Sequence, residues 1–247
     1  MPCVPVFGND IFNREFIEKN RAEIEKAYLL FEDEESKRIY RGCIEFMFGG
    51  ELDVLESITT DKSEAFENIL KLNSKETFLD LGAYRGDTVE EFLHYAKGEY
   101  ENIIALEPDR RSYKKLLAYS ENLNNIETVQ KAVSDKDSVA LFNAAAGRQS
   151  SFSDKGDEIE TVTVDTLAIG KKITYLKMDV EGAEYEAICG AEKTLVNHKP
   201  KLNIALYHKS EDIFLLPLKV ASINPDYKFY IRRHPYIPCW DMNLYCN

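Results

Sequence analysis

The sequence predicts an α/β chain: a mostly parallel sheet covered on both faces by helices, with a helical segment in front of it. Three observations carry this. From Glu76 onward, short apolar runs alternate with amphipathic stretches of helical period. Before that point, apolar residues recur only at helical spacing. The first apolar run also ends in a glycine turn, FLDLGAYRGDT, which opens a helix.

In the N-terminal part, Ile17, Ile24, Tyr28 and Phe31 share one helix face. Ile39, Cys43 and Met47 mark a second helix that ends at Gly49-Gly50. Ala65, Phe66, Ile69 and Leu70 mark a third, behind a cap at Asp61 or Ser63. Residues 1–74 therefore read as an N-terminal helical extension, and 75–247 as the main domain.

In the main domain, ETFLDL is the first strand. GDTVEEFLHYAK follows as a helix with Val89, Phe92, Leu93 and Ala96 inward, stopped by Gly98. NIIALE is the second strand, and Asp109 caps a helix carrying Tyr113, Leu116, Leu117 and Tyr119. IETVQ is the third strand. SVALFNAAAG and EIETVTVDTL are two extended pieces around a polar loop. ITYLKMD is the next buried strand. GAEYEAICGAEKTLVNH reads as one helix, with Ala183, Ala187, Ile188, Ala191 and Leu195 on one side. LNIALYH is a strand. In SEDIFLLPLKVASI, Ile213, Leu216, Val220 and Ile223 align, and Pro217 should kink or restart the helix. YKFYIRR and MNLYC close the chain as an antiparallel pair.

The composition is that of a water-soluble globular protein: 247 residues, 44% hydrophobic and 30% charged. A formal net charge of −12 argues against an exposed nucleic-acid surface, which needs a basic face. No apolar run approaches the roughly 20 residues that span a bilayer. MPCVPVFGND has no basic stretch leading into an apolar one, so no secretory signal is expected. Cys3, Cys43, Cys189, Cys239 and Cys246 show no CxxC spacing. Reduced thiols and a cytoplasmic location are the simplest expectation, with Cys189 as packing rather than nucleophile.

The glycine turn limits the ligand. A nucleoside triphosphate loop would read GxxxxGK before Ser or Thr, and no lysine stands here. A dinucleotide turn would read GxGxxG, but Tyr84 stands where the second glycine belongs and would crowd a pyrophosphate. S-adenosylmethionine has no phosphate and carries an ammonium and a carboxylate at its methionine end. Asp80 suits the first, and the helix N-terminus suits the second. Glu107, ending the next strand, can accept hydrogen bonds from both ribose hydroxyls, although NAD would use such a carboxylate too. The plain alternative is that Glu107 caps the next helix, for which Asp109 is better placed.

Together, FLDLGAYRGDT, ALEPD, KMDVEGAE and the tail FYIRRHPYIPCWDMNLYC resemble the FkbM-type methyltransferases of the class I S-adenosylmethionine-dependent superfamily. The resemblance covers roughly residues 75 to 247, and the N-terminal helices lie outside it. It implies a Rossmann-like, doubly wound seven-stranded sheet with an antiparallel last strand. It implies cofactor contacts at Asp80, Gly82 and Glu107 and at their neighbours Ala83, Tyr84, Gly86, Asp87, Thr88, Pro108 and Asp109. Ala132 and Val133, past the third strand, are candidates for the adenine, whose recognition would be apolar and main-chain. Asp179 stands on the edge that faces the methyl group in this class.

Methyl transfer to a hydroxyl needs in-line alignment and a proton acceptor. Asp179 and Glu181 stand at the end of the fourth strand as base, clamp or metal ligands; Glu181 could instead complement a helix start. His208, past the fifth strand, is a candidate base, or simply a loop histidine. Asp179, Glu181 and His208 could hold a divalent cation if the reaction uses one. Arg232, Arg233, His234, Tyr236 and Trp240 read as a loop overhanging the site, suited to a sugar or an anion, or equally as a solvated hairpin tip. Arg85 could face the same pocket. His94 and His198 read as structural. The expected function is O-methylation of a glycan, glycolipid or small natural product, the acceptor class following from the resemblance. The alternative is an inactive cofactor-binding module that serves a protein partner through its N-terminal helices. A nicotinamide oxidoreductase is disfavoured by the missing glycine.

Overall fold

The computed structural model describes residues 12–143, 151–152, 157–236 and 241–247. The chain divides into two compact units, Met1–Leu70 with Asn203–Asn247, and Lys71–Leu202.

The N-terminal part forms α1 (Arg14–Lys19), α2 (Arg21–Leu30), α3 (Glu34–Gly49), α4 (Leu52–Ser57), α5 (Lys62–Glu64) and a π-helix, Ala65–Leu70. The first amphipathic stretch is two helices rather than one, because the chain leaves helical geometry at Asn20. For α3, Asp33 accepts the Ser36 N–H at 2.6 Å, and Gly50 ends the helix at φ 75°. Its buried face is Ile39, Tyr40, Cys43, Phe46 and Met47. Asp61 caps α5 by accepting the Ser63 N–H. The sequence did not announce α4, which buries a single residue, Leu55.

The next stretch forms β1 (Thr77–Leu81), α6 (Asp87–Tyr95), β2 (Asn102–Leu106), α7 (Arg110–Ser120) and β3 (Ile126–Val129). β1 is buried along its whole length, as a parallel strand covered on both faces must be. Phe92 on α6 stacks on Phe78 of β1, with ring centres 4.5 Å apart. In α7, Leu116 is buried but Leu117 faces solvent, narrowing the expected apolar face. β4 (Ala132–Val133), β5 (Ser138–Asn143), β6 (Ser151–Phe152) and β7 (Asp157–Val162) follow. They form a second sheet of order β4-β7-β5-β6. The expected extended pieces are its strands β5 and β7, antiparallel to each other.

The remainder forms α8 (Val164–Leu167), β8 (Tyr175–Met178), α9 (Glu184–Cys189), α10 (Glu192–Asn197), β9 (Lys201–Ala205), α11 (Asp212–Ile223), β10 (Phe229–Arg233) and β11 (Met242–Cys246). The single helix expected after β8 is two. It breaks at Gly190, where a Cβ would lie 2.2 Å from the Ser134 carbonyl oxygen. Pro217, in contrast, lies inside one continuous helix, α11. One lost backbone bond there is outweighed by burial of Ile213, Leu216 and Val220. Within its unit, α2 packs on α11, α3 on β10 and the π-helix on β11.

The main sheet has seven strands in the order β10-β11-β9-β8-β1-β2-β3. β1 pairs in parallel with β2 and β8, and β2 with β3. β10 and β11 are an antiparallel edge pair. This is the doubly wound, mostly parallel sheet with an antiparallel edge that the sequence predicts. Among the described residues no helix is long and apolar enough to cross a membrane.

Candidate functional site

In such sheets ligands sit beyond the carboxyl ends of the strands, so the site is built here from the ends of β1, β2 and β8. All three lie in the unit Lys71–Leu202. The turn after β1 runs through three left-handed residues, Gly82 at φ 84°, Tyr84 at φ 48° and Gly86 at φ 96°. A Cβ on Gly82 would stand 1.9 Å from the Asp179 carbonyl oxygen. A Cβ on Gly86 would stand 2.5 Å from the Tyr119 ring. Both glycines are thus required by the protein's own packing. Ala83 and Gly86 are buried, Tyr84 and Thr88 half-buried, and Asp87 exposed in the first turn of α6. The Arg85 guanidinium stacks 4.6 Å from the centre of the Tyr84 ring.

Asp80 has no exposed surface. The Thr88 hydroxyl donates to its Oδ2, and the Lys177 ammonium stands 3.5 Å from its Oδ1. β1 and β8 bring this about, since Asp80 and Lys177 are register partners. Lys177 also donates to the Gly82 carbonyl at 3.3 Å and lies 4.0 Å from Asp179 Oδ2. Burial pushes the Asp80 carboxyl above its ordinary range, against the pull of Lys177 and Thr88. Burial would lower the Lys177 pKa, but Asp80 and Asp179 outweigh it and hold the amine above its usual value. The two form a buried ion pair.

Glu107 ends β2 and is 6% exposed. Its Oε2 accepts the Tyr84 N–H at 2.8 Å, and its Oε1 the Asp109 N–H at 2.9 Å. Burial pushes its carboxyl up to about 7, even though both N–H groups favour the ionised form. A carboxylate has about four acceptor positions, so two remain for ligand hydroxyls. The cap of α7 is Asp109, whose Oδ1 accepts from the Arg111 and Ser112 N–H groups. That frees Glu107 from the capping role. Pro108 is half-buried between them. Ala132 and Val133 are buried in β4 of the second sheet, paired with Thr161 and Val162 of β7.

After β8, Asp179 keeps a third of its side chain exposed. Glu181 stands in a left-handed turn position, φ 54°, and is half-buried. The buried carboxylate of this turn is instead Glu184, whose Oε1 accepts the Val180 N–H at 2.8 Å. His208 follows β9 in the other unit, half-buried, its ring 4.4 Å from that of Tyr207. His198 Nδ1 accepts the Ile173 N–H, and His94 packs edge-on against Tyr95.

The closing arginines are not loop residues. Arg232 and Arg233 belong to β10 and are buried. Arg232 pairs with Asp33 at 2.8 Å and Glu64 at 2.5 Å, and donates to the Ser36 hydroxyl. Arg233 donates to the Thr59 hydroxyl. His234 is buried between the Thr60 carbonyl and the Tyr245 hydroxyl. These side chains anchor the N-terminal helices to β10 and β11, which corrects their reading as an acceptor-binding overhang. Tyr236 is exposed. Trp240 lies outside the described residues, as do Cys3 and Cys239. Cys43 and Cys246 are buried free thiols, and Cys189 is a half-buried one.

Sequence reasoning passed over Lys177 and Glu184. The signal for Lys177 was available, because a lysine inside the apolar run ITYLKMD must be paired if the strand is buried.

No curated protein matches the chain in a sequence comparison. Among solved structures, methyltransferase FkbM from Methylobacillus flagellatus KT aligns with a TM-score of 0.81 and 25% identity. The alignment covers 94% of this chain and 60% of that one, so the chain spans about three fifths of that protein's length. More distant are an rRNA methylase from Streptococcus thermophilus and fibrillarin from Aeropyrum pernix in complex with S-adenosyl-L-methionine. The first has a TM-score of 0.46 and 13% identity over 75% of this chain and 93% of that one. The second has 0.47 and 11% over 75% and 73%. The methyltransferase FkbM domain family matches residues 80–229, well over half of the chain, and the chain belongs to that family.

Proposed function

We propose that this protein is an S-adenosylmethionine-dependent O-methyltransferase acting on a hydroxyl of a glycan, glycolipid or small natural product. In this reading residues 75–247 are its methyltransferase domain and 1–74 an extension. The observation that carries the cofactor reading is Glu107. Its carboxylate ties the β1 turn to the end of β2 through the Tyr84 and Asp109 N–H groups and keeps acceptor capacity for a ribose diol. The turn beside it offers main-chain groups rather than a lysine for phosphate, and the N-terminus of α6 suits a carboxylate.

When bound, S-adenosylmethionine supplies a methyl group on a positively charged sulfur. The chain's own residues have three tasks. Glu107, the Gly82–Thr88 turn and the apolar Ala132-Val133 hold the nucleoside and the methionine end. Asp80 acts from behind the turn, through Thr88 and Lys177. Asp179 and Glu181 are the candidates for orienting the acceptor, and His208 is the preferred base because imidazole titrates near neutrality.

Calorimetry tests the reading. S-adenosylhomocysteine should bind to the native chain and NADH should not. Binding of NADH alone would overturn the assignment.

A further inference from the structure

We propose that Thr88 recognises the α-ammonium at the methionine end of the cofactor. Its hydroxyl oxygen is turned into an acceptor by the buried Asp80 carboxylate behind it, and Asp80 itself makes no contact with the ligand. The inference rests on the cofactor reading above and assigns one atom of the ligand to one atom of the site.

Asp80 has no exposed surface, so a ligand cannot reach it. The Thr88 hydroxyl meets its Oδ2, and Thr88 itself is half-buried at the start of α6. Which of the two oxygens carries the proton decides what Thr88 can offer. Lys177 is 8% exposed, and a buried ammonium needs an anion beside it. It lies 3.5 Å from Asp80 Oδ1, closer than its 4.0 Å to Asp179 Oδ2. Asp80 is therefore the ionised partner, and an ionised carboxylate only accepts. The proton of the shared bond belongs to Thr88. A hydroxyl has one proton and two lone pairs, so Thr88 keeps only lone pairs for a ligand. A lone pair suits an ammonium and not a carboxylate. Asp80 Oδ1 accepts no hydrogen bond among the described residues. Positive charge in front of Thr88 thus also meets an unsaturated carboxylate behind it. The start of α6 has no side-chain cap, which leaves main-chain N–H groups there for the carboxylate of the same amino acid. Donors and acceptor stand within one helical turn, as the two charged groups stand on one carbon of the ligand.

The probes are S-adenosylhomocysteine and its desamino analogue, in which hydrogen replaces the α-ammonium. The readout is the ratio of their dissociation constants by calorimetry. The native chain should bind S-adenosylhomocysteine the more tightly, by roughly ten- to hundredfold, as for a hydrogen bond to a charged group. Thr88→Val should remove most of that preference, and the ratio should fall toward unity. Thr88→Ser, which restores the hydroxyl, should keep the native ratio. A merely structural role, or a hydroxyl that donates to the ligand carboxylate, would weaken both probes alike in Thr88→Val. The ratio would then stay unmoved, and that result would overturn the proposal. Equal affinities of the native chain for the two probes would overturn it as well, even if Thr88→Val did not fold. A native chain that bound neither probe would overturn the cofactor reading itself, and this inference with it.

Discussion

Glu107 offers a test in which protonation and ligand binding are linked. Its carboxyl is pushed to about 7 by burial, from an ordinary value of 4.5. Only the carboxylate can accept two ribose hydroxyls while keeping the Tyr84 and Asp109 N–H groups. Ligand hydroxyls add donors to the ionised form and pull its pKa down, so binding releases a proton below about pH 7. Affinity for S-adenosylhomocysteine should then rise with pH by up to about tenfold per unit until about pH 7, and level off above it. The same shift has the opposite consequence for folding. The folded state holds this proton more tightly than the unfolded one. The contribution is therefore greatest below about pH 4.5 and is lost as pH rises through about 7, an upper limit of about 3 kcal/mol. Glu107→Gln removes the titration, and it leaves one of two partly buried N–H groups facing an amide NH2, at a cost of roughly 1–3 kcal/mol. Calorimetry across about pH 5 to 8 on native and Glu107→Gln protein is the assay. A native affinity independent of pH, or a slope that survives in Glu107→Gln, would refute the reasoning.

Gly82→Ala should lower stability in urea unfolding by roughly 3 kcal/mol or more, because the new Cβ meets the Asp179 carbonyl at a left-handed position; near-native stability would mean that the turn shifts freely. Arg232→Met should cost about 1–3 kcal/mol, since Asp33 and Glu64 are partly exposed and can turn to water. It should leave S-adenosylhomocysteine affinity unchanged, whereas weakened binding would restore these arginines to the site. His208→Ala should keep cofactor affinity and slow single-turnover methylation of an identified acceptor by roughly 10²-fold; an unchanged rate would make the histidine structural.

Most of the fold was legible because it depends on local signals. β1, β2 and β8 are apolar runs bounded by turns, and Asp109 is a cap that fits one helix start only. The misses share a different cause, namely dependence on contacts far along the chain. At Gly190, between two helices, a Cβ would meet the Ser134 carbonyl, and Leu117 is turned out although its helical period is apolar. Arg232 and Arg233 looked like a charged loop because their partners Asp33, Glu64 and Thr59 lie far back in the sequence. The second sheet escaped notice for a similar reason. β4 and β6 have two residues each, too short for any period. In the candidate site, Asp80 and Glu107 were named from their positions at strand ends. Lys177 was passed over because its importance comes from its register with Asp80.

The glycines of the β1 turn are explained by the protein's own packing. Gly82 is excluded from carrying a side chain by a protein carbonyl, and Gly86 by the Tyr119 ring. A ligand is not needed to explain either. Tyr84 occupies a left-handed position at φ 48° despite its Cβ, a conformation that costs a non-glycine residue roughly 1–2 kcal/mol. The Glu107 carboxylate holds its N–H there, and the Arg85 guanidinium covers its ring. A dinucleotide turn needs glycine at this point so that pyrophosphate can approach the main chain. Here the position is filled by an aromatic residue whose backbone is tied to the carboxylate proposed to hold the ribose. In the proposed function, the bond from the Tyr84 N–H to Glu107 would link both properties, exclusion of a pyrophosphate and the hold on a ribose.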